Sequence, residues 1–128
     1  MNYYTTQSNI LKALSHPTRL AILDILREGE QCVCHMEAIL GQRQAYISQQ
    51  LMVLKNAELI EPRRDGLNLY YRVIQPEIYT VLDAVAAVTG TSQKLNIHNK
   101  AAAACPCPRC SAEPKQPLIQ LTSIQNKI

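Results

Sequence analysis

One amphipathic helix constrains the fold of this 128-residue chain more than any other feature. Ile47, Leu51 and Leu54 recur at the i, i+4, i+7 spacing of one helix face, which predicts a helix over residues 45–57. The apolar segment before it is short and ends at Gly41, so the sequence predicts a short helix, a turn and then the helix over residues 45–57.

A two-stranded hairpin is predicted directly after these helices. Residues 59–60 begin a strand, and the Arg-Arg-Asp-Gly run of residues 63–66 predicts a tight turn. Residues 69–73 then alternate at a period of two, which is typical of a half-buried strand. Two helices followed by a basic hairpin predict a winged helix-turn-helix, a mainly α fold of about five helices plus a two-stranded β-hairpin wing.

Three other helices complete this prediction. Residues 5–14 suit a first helix. A second, apolar almost all round, begins at Pro17, with Ser15 or His16 as its cap. The last helix covers residues 76–89, and its apolar stripe is too wide for a small domain to bury within itself: Ile78, Val81, Leu82, Val85 and Val88.

Regular patterning fades after Gly90. We therefore expect a winged-helix domain over residues 1–90 and a cysteine-containing, partly flexible tail over residues 91–128.

The polar face of the helix at residues 45–57 suits contact with double-stranded DNA. Amide and hydroxyl side chains can bond base edges or phosphates, and no carboxylate interrupts this face before Glu58. The residues expected in the major groove are Gln44, Ala45, Tyr46, Ser48 and Gln49. The residues expected at phosphates or in the minor groove are Arg43, Arg64 and Arg72.

Several other classes of protein are excluded by what the sequence lacks. There is no Ser/His/Asp pattern and no Gly-rich phosphate loop, so neither an enzyme nor an organic cofactor is expected. No run approaches the ~20 apolar residues of a membrane span, and the first residues do not resemble a signal peptide. We expect a cytoplasmic protein with no membrane partner. The net charge of +3 is too small to identify a DNA binder by itself.

Five cysteines form two clusters, and a cytoplasmic location disfavours structural disulfides between them. Cys32 and Cys34 point about 200° apart on a regular helix, so they can share one ion only if the first turn loosens or Cys32 precedes the helix. Cys105, Cys107 and Cys110 alternate with prolines, which hold the segment extended. Three thiolates suit As(III) or Pb(II), and four suit Zn(II) or Cd(II).

Six short segments of the chain form a pattern through their order and spacing. They are His-Pro-Thr-Arg-Leu at 16–20, Cys-Val-Cys at 32–34, Ser-Gln-Gln-Leu at 48–51, Ala-Glu-Leu-Ile at 57–60, Arg-Arg-Asp-Gly at 63–66 and Tyr-Tyr-Arg at 70–72. Together they resemble the ArsR/SmtB family of metal- and metalloid-responsive repressors, and the resemblance covers roughly residues 8–88.

The resemblance implies a homodimeric repressor that releases its operator when a soft ion binds cysteine thiolates. The first and last helices would form the dimer interface, and the operator would be an imperfect inverted repeat. The inducing ion would be As(III), Cd(II), Pb(II) or Zn(II). Cys32 and Cys34 would be completed by tail cysteines of the same or the other subunit, or the tail triad would bind alone.

Departures from the family pattern leave alternatives open. Tyr46 replaces the small residue that most relatives have, so the operator sequence cannot be inferred from theirs. The family's other sensing site uses Asp and His residues in a fixed pattern on the last helix. The last helix of this chain has only Asp83 of that pattern, so we expect this second site to be missing. We expect His35 to be a surface residue, with an additional metal ligand as the alternative. A redox- or persulfide-responsive repressor, and a metal-storage protein that no longer binds DNA, are the alternative hypotheses.

Overall fold

A computed structural model describes residues 2–90 of the chain, and the predicted ligands Cys105, Cys107 and Cys110 lie outside this range. Within this range the chain forms five α-helices, a short 3₁₀ turn and three strands. Their order is α1 (Tyr3–Leu14), α2 (Pro17–Ile25), the 3₁₀ turn (Leu26–Glu28), β1 (Gln31–Cys32), α3 (Val33–Leu40), α4 (Gln44–Asn56), β2 (Ile60–Asp65), β3 (Asn68–Val73) and α5 (Ile78–Thr89). The predicted winged helix-turn-helix is confirmed.

The helix ends follow their local sequence. His16 caps α2, because its Nδ1 accepts the N–H of Thr18 at 3.1 Å while Pro17 occupies the first helical position. Gly41 ends α3 in the left-handed region at φ 62° and donates its N–H to Glu37 O at 2.9 Å. The predicted cap and the predicted turn are both confirmed.

The core lies where α2, α3 and α4 meet. The predicted apolar face of α4 is buried, with Ile47, Leu51 and Leu54 at most 1% exposed. Leu20 is 37% exposed, so α2, although apolar almost all round in sequence, is not buried on every side. None of the helices within residues 2–90 has the length and apolar character needed to cross a bilayer.

The wing, residues 60–73, is the hairpin of β2 and β3, and it gains a third strand that the sequence did not predict. The antiparallel order is β1-β3-β2, with Cys32 opposite Tyr70. A strand of two residues is too short to show alternation, which is why it was missed. Tyr70 and Tyr71 point to opposite faces of the sheet, yet both are buried, because Tyr71 enters the core and the Tyr70 ring lies under the Arg63 guanidinium. The predicted alternation fails there.

The predicted turn over residues 63–66 is misplaced. Arg63, Arg64 and Asp65 belong to β2, and the loop is Gly66 and Leu67. Gly66 has φ 61° at the first loop position, the positive value that two-residue hairpin loops require.

Helix α5 starts two residues later than predicted, and side chains hold it to α2 and to the 3₁₀ turn that follows α2. The Tyr79 hydroxyl donates to Leu23 O at 2.6 Å, and Arg27 pairs with Asp83 at 3.0 Å. Burial raises the pKa of Tyr79 to about 12. Val85 and Val88 of the predicted apolar stripe are 53% and 87% exposed, so this chain alone leaves much of that stripe uncovered.

Glu58 adopts a conformation that L-residues rarely take. Helix α4 ends in a Schellman motif, in which Glu58 N–H donates to Lys55 O at 2.9 Å and Leu59 N–H to Leu54 O at 3.1 Å. This motif places Glu58 at φ 60° in the left-handed region, the position usually occupied by glycine.

We predict that Glu58→Gly raises the free energy of unfolding by about 0.5–1 kcal/mol. Removing the Cβ relieves the roughly 1–2 kcal/mol cost of a left-handed L-residue, against a smaller entropic penalty for glycine. The control is Lys55→Gly inside the same helix, which should lower stability by roughly 0.5–1 kcal/mol. Urea unfolding at one fixed protein concentration measures both, and equal destabilisation by the two variants contradicts the prediction.

Candidate nucleic-acid interface and cysteine pair

The polar face of α4, defined here as Gln44, Ala45, Ser48 and Gln49, is exposed. Positions four apart lie one above the other on a helix, so these residues form one continuous surface over the first two turns. Arg43 precedes α4 as its N-terminal cap residue and is also exposed. The predicted base-contacting residues, except Tyr46, therefore share one accessible surface beside a cation.

Tyr46 differs from its predicted neighbours because its hydroxyl is engaged within the chain. It is half-buried, and the hydroxyl lies 3.1 Å from Oγ1 of Thr18 on α2. The His16 ring lies 6.5 Å from the Tyr46 ring, centroid to centroid. A contact of Tyr46 with DNA stays a prediction.

Arg19 connects three helices, and the sequence prediction did not include it. Its Nη1 donates to Oε1 of Gln50 on α4 at 2.9 Å. Its Nε donates to Ala13 O at 2.6 Å and its Nη2 to Lys12 O at 3.1 Å, at the end of α1. Both carbonyls belong to the last turn of α1, where acceptors have no N–H four residues ahead within the helix, although Lys12 O also accepts the N–H of Ser15 at 3.2 Å. The only sequence signal is an arginine in the first turn of α2, which does not reveal a partner 31 positions away.

The three arginines of the wing have different surroundings. Arg63 donates through Nε to both oxygens of Glu30, at 3.1 and 2.9 Å, and lies over the Tyr70 ring. The hydrogen bond to Glu30 raises the pKa of Arg63. Arg72 Nε donates to Glu61 at 2.7 Å. Arg64 is exposed, and among residues 2–90 no carboxylate pairs with it.

Cys32 and Cys34 lie at the junction of β1 and α3. Cys32 has extended backbone angles, is 2% exposed and precedes the helix, and its Sγ accepts the N–H of His35 at 3.2 Å. Cys34 is in the first turn of α3 and is half-buried. The geometric condition for both thiols to face one ion, that Cys32 lie outside the helix, is met.

His35 is 6% exposed, so the prediction of a surface residue is wrong. Its position is four before Ile39, which places both on the face of α3 that enters the core.

The donor set of the cysteine pair is incomplete within residues 2–90. Within residues 2–90 neither Cys32 nor Cys34 forms a disulfide, and no group of three or more His, Cys, Asp or Glu residues is placed to hold an ion. Thiolates suit soft ions, but a three- or four-coordinate site needs further donors from outside the described residues. Asp83 of α5 is engaged with Arg27.

The cysteine segment, residues 30–34, touches both parts of the candidate interface. Glu30 pairs with Arg63 of the wing, and Cys32 lies opposite Tyr70 in the sheet. Helix α3, which begins at Val33, packs against α4. A displacement of this segment would therefore act on the wing and on α4 together.

Comparisons with known proteins agree with this arrangement. Residues 16–61 match the profile of the family described as bacterial regulatory protein, arsR family. A biofilm growth-associated repressor from Xylella fastidiosa is 36% identical over 87 residues, which span 68% of this chain and 76% of that protein.

Solved structures show the same architecture. The transcriptional repressor BigR from Xylella fastidiosa is 33% identical, with a TM-score of 0.64 over 70% of this chain and 91% of that one. The homodimeric winged helix-turn-helix DNA-binding domain Mb0332 from Mycobacterium bovis is 27% identical, with a TM-score of 0.61 over 71% of this chain and 89% of that one.

The different burial of the two thiols predicts different reactivity. In native, reduced protein, a maleimide should modify Cys34 at least about tenfold faster than Cys32, because access to Cys32 requires local opening that costs on the order of 1.4 kcal/mol. Mass spectrometry of the peptides after timed quenching gives both rates. In denaturant the two rates should converge, and equal rates in the native protein contradict the described burial.

Proposed function

The chain belongs to the ArsR family of bacterial regulatory proteins, and on that basis we propose that it holds an operator as a homodimer and releases it when a soft metal or metalloid ion binds its cysteine thiolates. It is a transcriptional repressor of the ArsR/SmtB type and not an enzyme. The operator contacts, the dimer and the inducing ion are the parts that we propose.

The observation that carries the operator contacts is the exposed polar face of α4, with the exposed Arg43 directly before the helix and the exposed Arg64 in the wing. Gln44 and Gln49 offer amide groups, and a glutamine can pair with both N6 and N7 of adenine. Arg43 precedes the helix and Arg64 extends from the wing, so phosphates on either side of the groove can be contacted. Arg72 could add a phosphate contact by leaving Glu61.

The exposed apolar residues of α1 and α5 support a homodimer. Leu11 is 57% exposed, and Val85 and Val88 are more than half exposed. Burying such residues against a second copy is favourable by about 25 cal/mol per Å² of apolar surface. The dimer would present two α4 helices about one DNA turn apart, which suits an imperfect inverted repeat.

The position of the cysteine pair supports an allosteric role. An ion that takes Cys32 must compete with the N–H of His35 and open the first turn of α3, which packs against α4. Cys105, Cys107 and Cys110 of the tail, residues 91–128, are the proposed additional donors. They would come from the same or the other subunit, or would bind alone.

The wing gives the cysteine segment a second route to the DNA. Glu30 lies two residues before Cys32 and pairs with Arg63, and the backbone of Cys32 lies opposite Tyr70. Displacing Cys32 would therefore disturb β3 and free or redirect Arg63. A hundredfold weaker operator complex requires only about 2.7 kcal/mol of differential ion affinity between the two conformations, which metal–thiolate bonds can supply.

One observation favours a second candidate, a thiol switch. Within residues 2–90 the cysteine pair lacks a third ligand, whereas oxidation needs only two thiols. An oxidant that accepts two electrons and two protons would join Cys32 or Cys34 to a tail cysteine as a disulfide; alternatively, a thiolate would attack the inner sulfur of a persulfide on the other cysteine and release hydrosulfide. Either disulfide would displace the same segment. The storage-protein hypothesis is disfavoured because the chain belongs to a family of DNA-binding regulators.

We predict that Gln49→Ala and Arg64→Ala weaken operator binding in different ways. Gln49→Ala should remove about 1–3 kcal/mol of discrimination at one base pair of each half-site. Arg64→Ala should weaken all duplexes alike and reduce the salt slope by about two per dimer, at roughly 0.9 per lost phosphate contact. Fluorescence anisotropy over a salt series separates the two effects. Unchanged binding in both variants would contradict the proposal that α4 and the wing contact the operator.

We also predict that one soft ion releases the operator from the reduced wild-type protein. Titrating the complex with As(III), Cd(II), Pb(II) and Zn(II) should lower anisotropy for that ion, and Cys34→Ser should abolish release while leaving ion-free binding unchanged. The matched variant, Cys105→Ser with Cys107→Ser and Cys110→Ser, tests the tail. Release that persists in Cys32→Ser with Cys34→Ser contradicts the proposal. Release by oxidant or persulfide alone supports the thiol switch.

A further inference from the structure

Two neighbouring side chains of α2 bind α4 one helical turn apart. Oγ1 of Thr18 lies 3.1 Å from the Tyr46 hydroxyl, and Nη1 of Arg19 donates to Oε1 of Gln50 at 2.9 Å. Tyr46 and Gln50 are four residues apart, so they lie on the same side of α4. The Thr18–Arg19 pair therefore forms hydrogen bonds along one edge of α4.

This edge adjoins the polar face of α4. Tyr46 follows Ala45 and Gln50 follows Gln49, so each anchored residue is the immediate neighbour of a residue proposed to face the groove. Apolar packing by itself permits small rotations of a helix, since dispersion contacts have little directionality. Two hydrogen bonds on one edge restrict that rotation, because each has a preferred length and angle.

Both anchoring groups are themselves fixed. Thr18 is 0% exposed, so its hydroxyl has no access to water and depends on protein partners. Arg19 also donates to the carbonyls of Lys12 and Ala13, which ties its guanidinium to the end of α1. Through Thr18 and Arg19, the orientation of α4 is therefore fixed relative to α1 and α2. It does not depend on side chains that are themselves mobile.

We propose that Thr18 and Arg19 are positioning residues that set the rotation of α4 and thereby its discrimination between base pairs, without touching DNA themselves. The inference rests on the proposed function, in which α4 lies in the major groove. Base discrimination requires side chains placed within hydrogen-bond tolerance of base edges, whereas phosphate contacts tolerate displacement better. Loss of the pair should therefore reduce sequence discrimination more than overall affinity.

The test uses the full chain and a duplex enriched from a random-sequence pool by the wild-type protein, together with single-base-pair variants of that duplex. Thr18→Val keeps the shape and removes the hydroxyl, and Thr18→Ser keeps the hydroxyl. Tyr46→Phe removes the other end of the same hydrogen bond, and Gln50→Met removes the partner of Arg19. The readout is the ratio of affinities for the enriched and the substituted duplexes, measured with the salt slope and the thermal stability.

Thr18→Val, Tyr46→Phe and Gln50→Met should each reduce this ratio roughly threefold to tenfold, as expected for loss of one hydrogen bond, with an unchanged salt slope. Thr18→Ser should retain it. The double variant of Thr18→Val and Tyr46→Phe should lose no more than either alone, because both remove one interaction. This non-additivity distinguishes positioning from a direct contact of Tyr46 with DNA.

The proposal is overturned if the variants lose only thermal stability and keep the wild-type ratio. If Thr18→Val does not fold, an unchanged ratio in Tyr46→Phe and Gln50→Met overturns it equally. A wild-type protein that binds all duplexes alike overturns the proposed function as well, whereas wild-type discrimination with unaffected variants overturns the positioning role only.

Discussion

The structure depends on how the apolar face of α4 is buried. Ile47, Leu51 and Leu54 enter the core between α2 and α3, and this burial determines which side of α4 faces outward. The same helix therefore satisfies two requirements, since one side stabilises the fold while the other stays free for an external partner. In the proposed operator complex, the side chains that would meet the base pairs lie outside the core, and the apolar side chains that stabilise α4 lie within it.

The two-residue strand β1 has consequences beyond its size. It pairs the backbone of Cys32 with the central strand of the hairpin, and Glu30 adds an ion pair to Arg63 just before it. Without this strand, the hairpin would still pack against α3, α4 and the 3₁₀ turn, but within residues 2–90 no strand pairing would connect it to the cysteine segment. With it, the hairpin, the thiols and the start of α3 form one connected unit, so the thiols lie within the framework that orients the candidate interface.

The sequence predicted what depends on local periodicity and turn chemistry. The helices, the buried side of α4, the His16 cap and the Gly41 turn are all confirmed because neighbouring residues encode them. The pairs of Arg19 with Gln50 and of Arg63 with Glu30 join residues 31 and 33 positions apart, and no local pattern identifies such partners. The burial of His35 was missed because a polar residue can complete an apolar helix face.

The burial of Cys32 limits the rate of any reaction at this thiol. Whether the reagent is an ion or an oxidant, it reaches Sγ only after the turn that buries it has opened. At low reagent concentration the rate rises with concentration, but at high concentration it levels off at the opening rate of the protein. If Cys32 is a sensing thiol as proposed, its response time has a lower limit set by the opening rate of the fold, and an exposure shorter than that limit would leave the thiol unmodified however strongly the reagent finally binds.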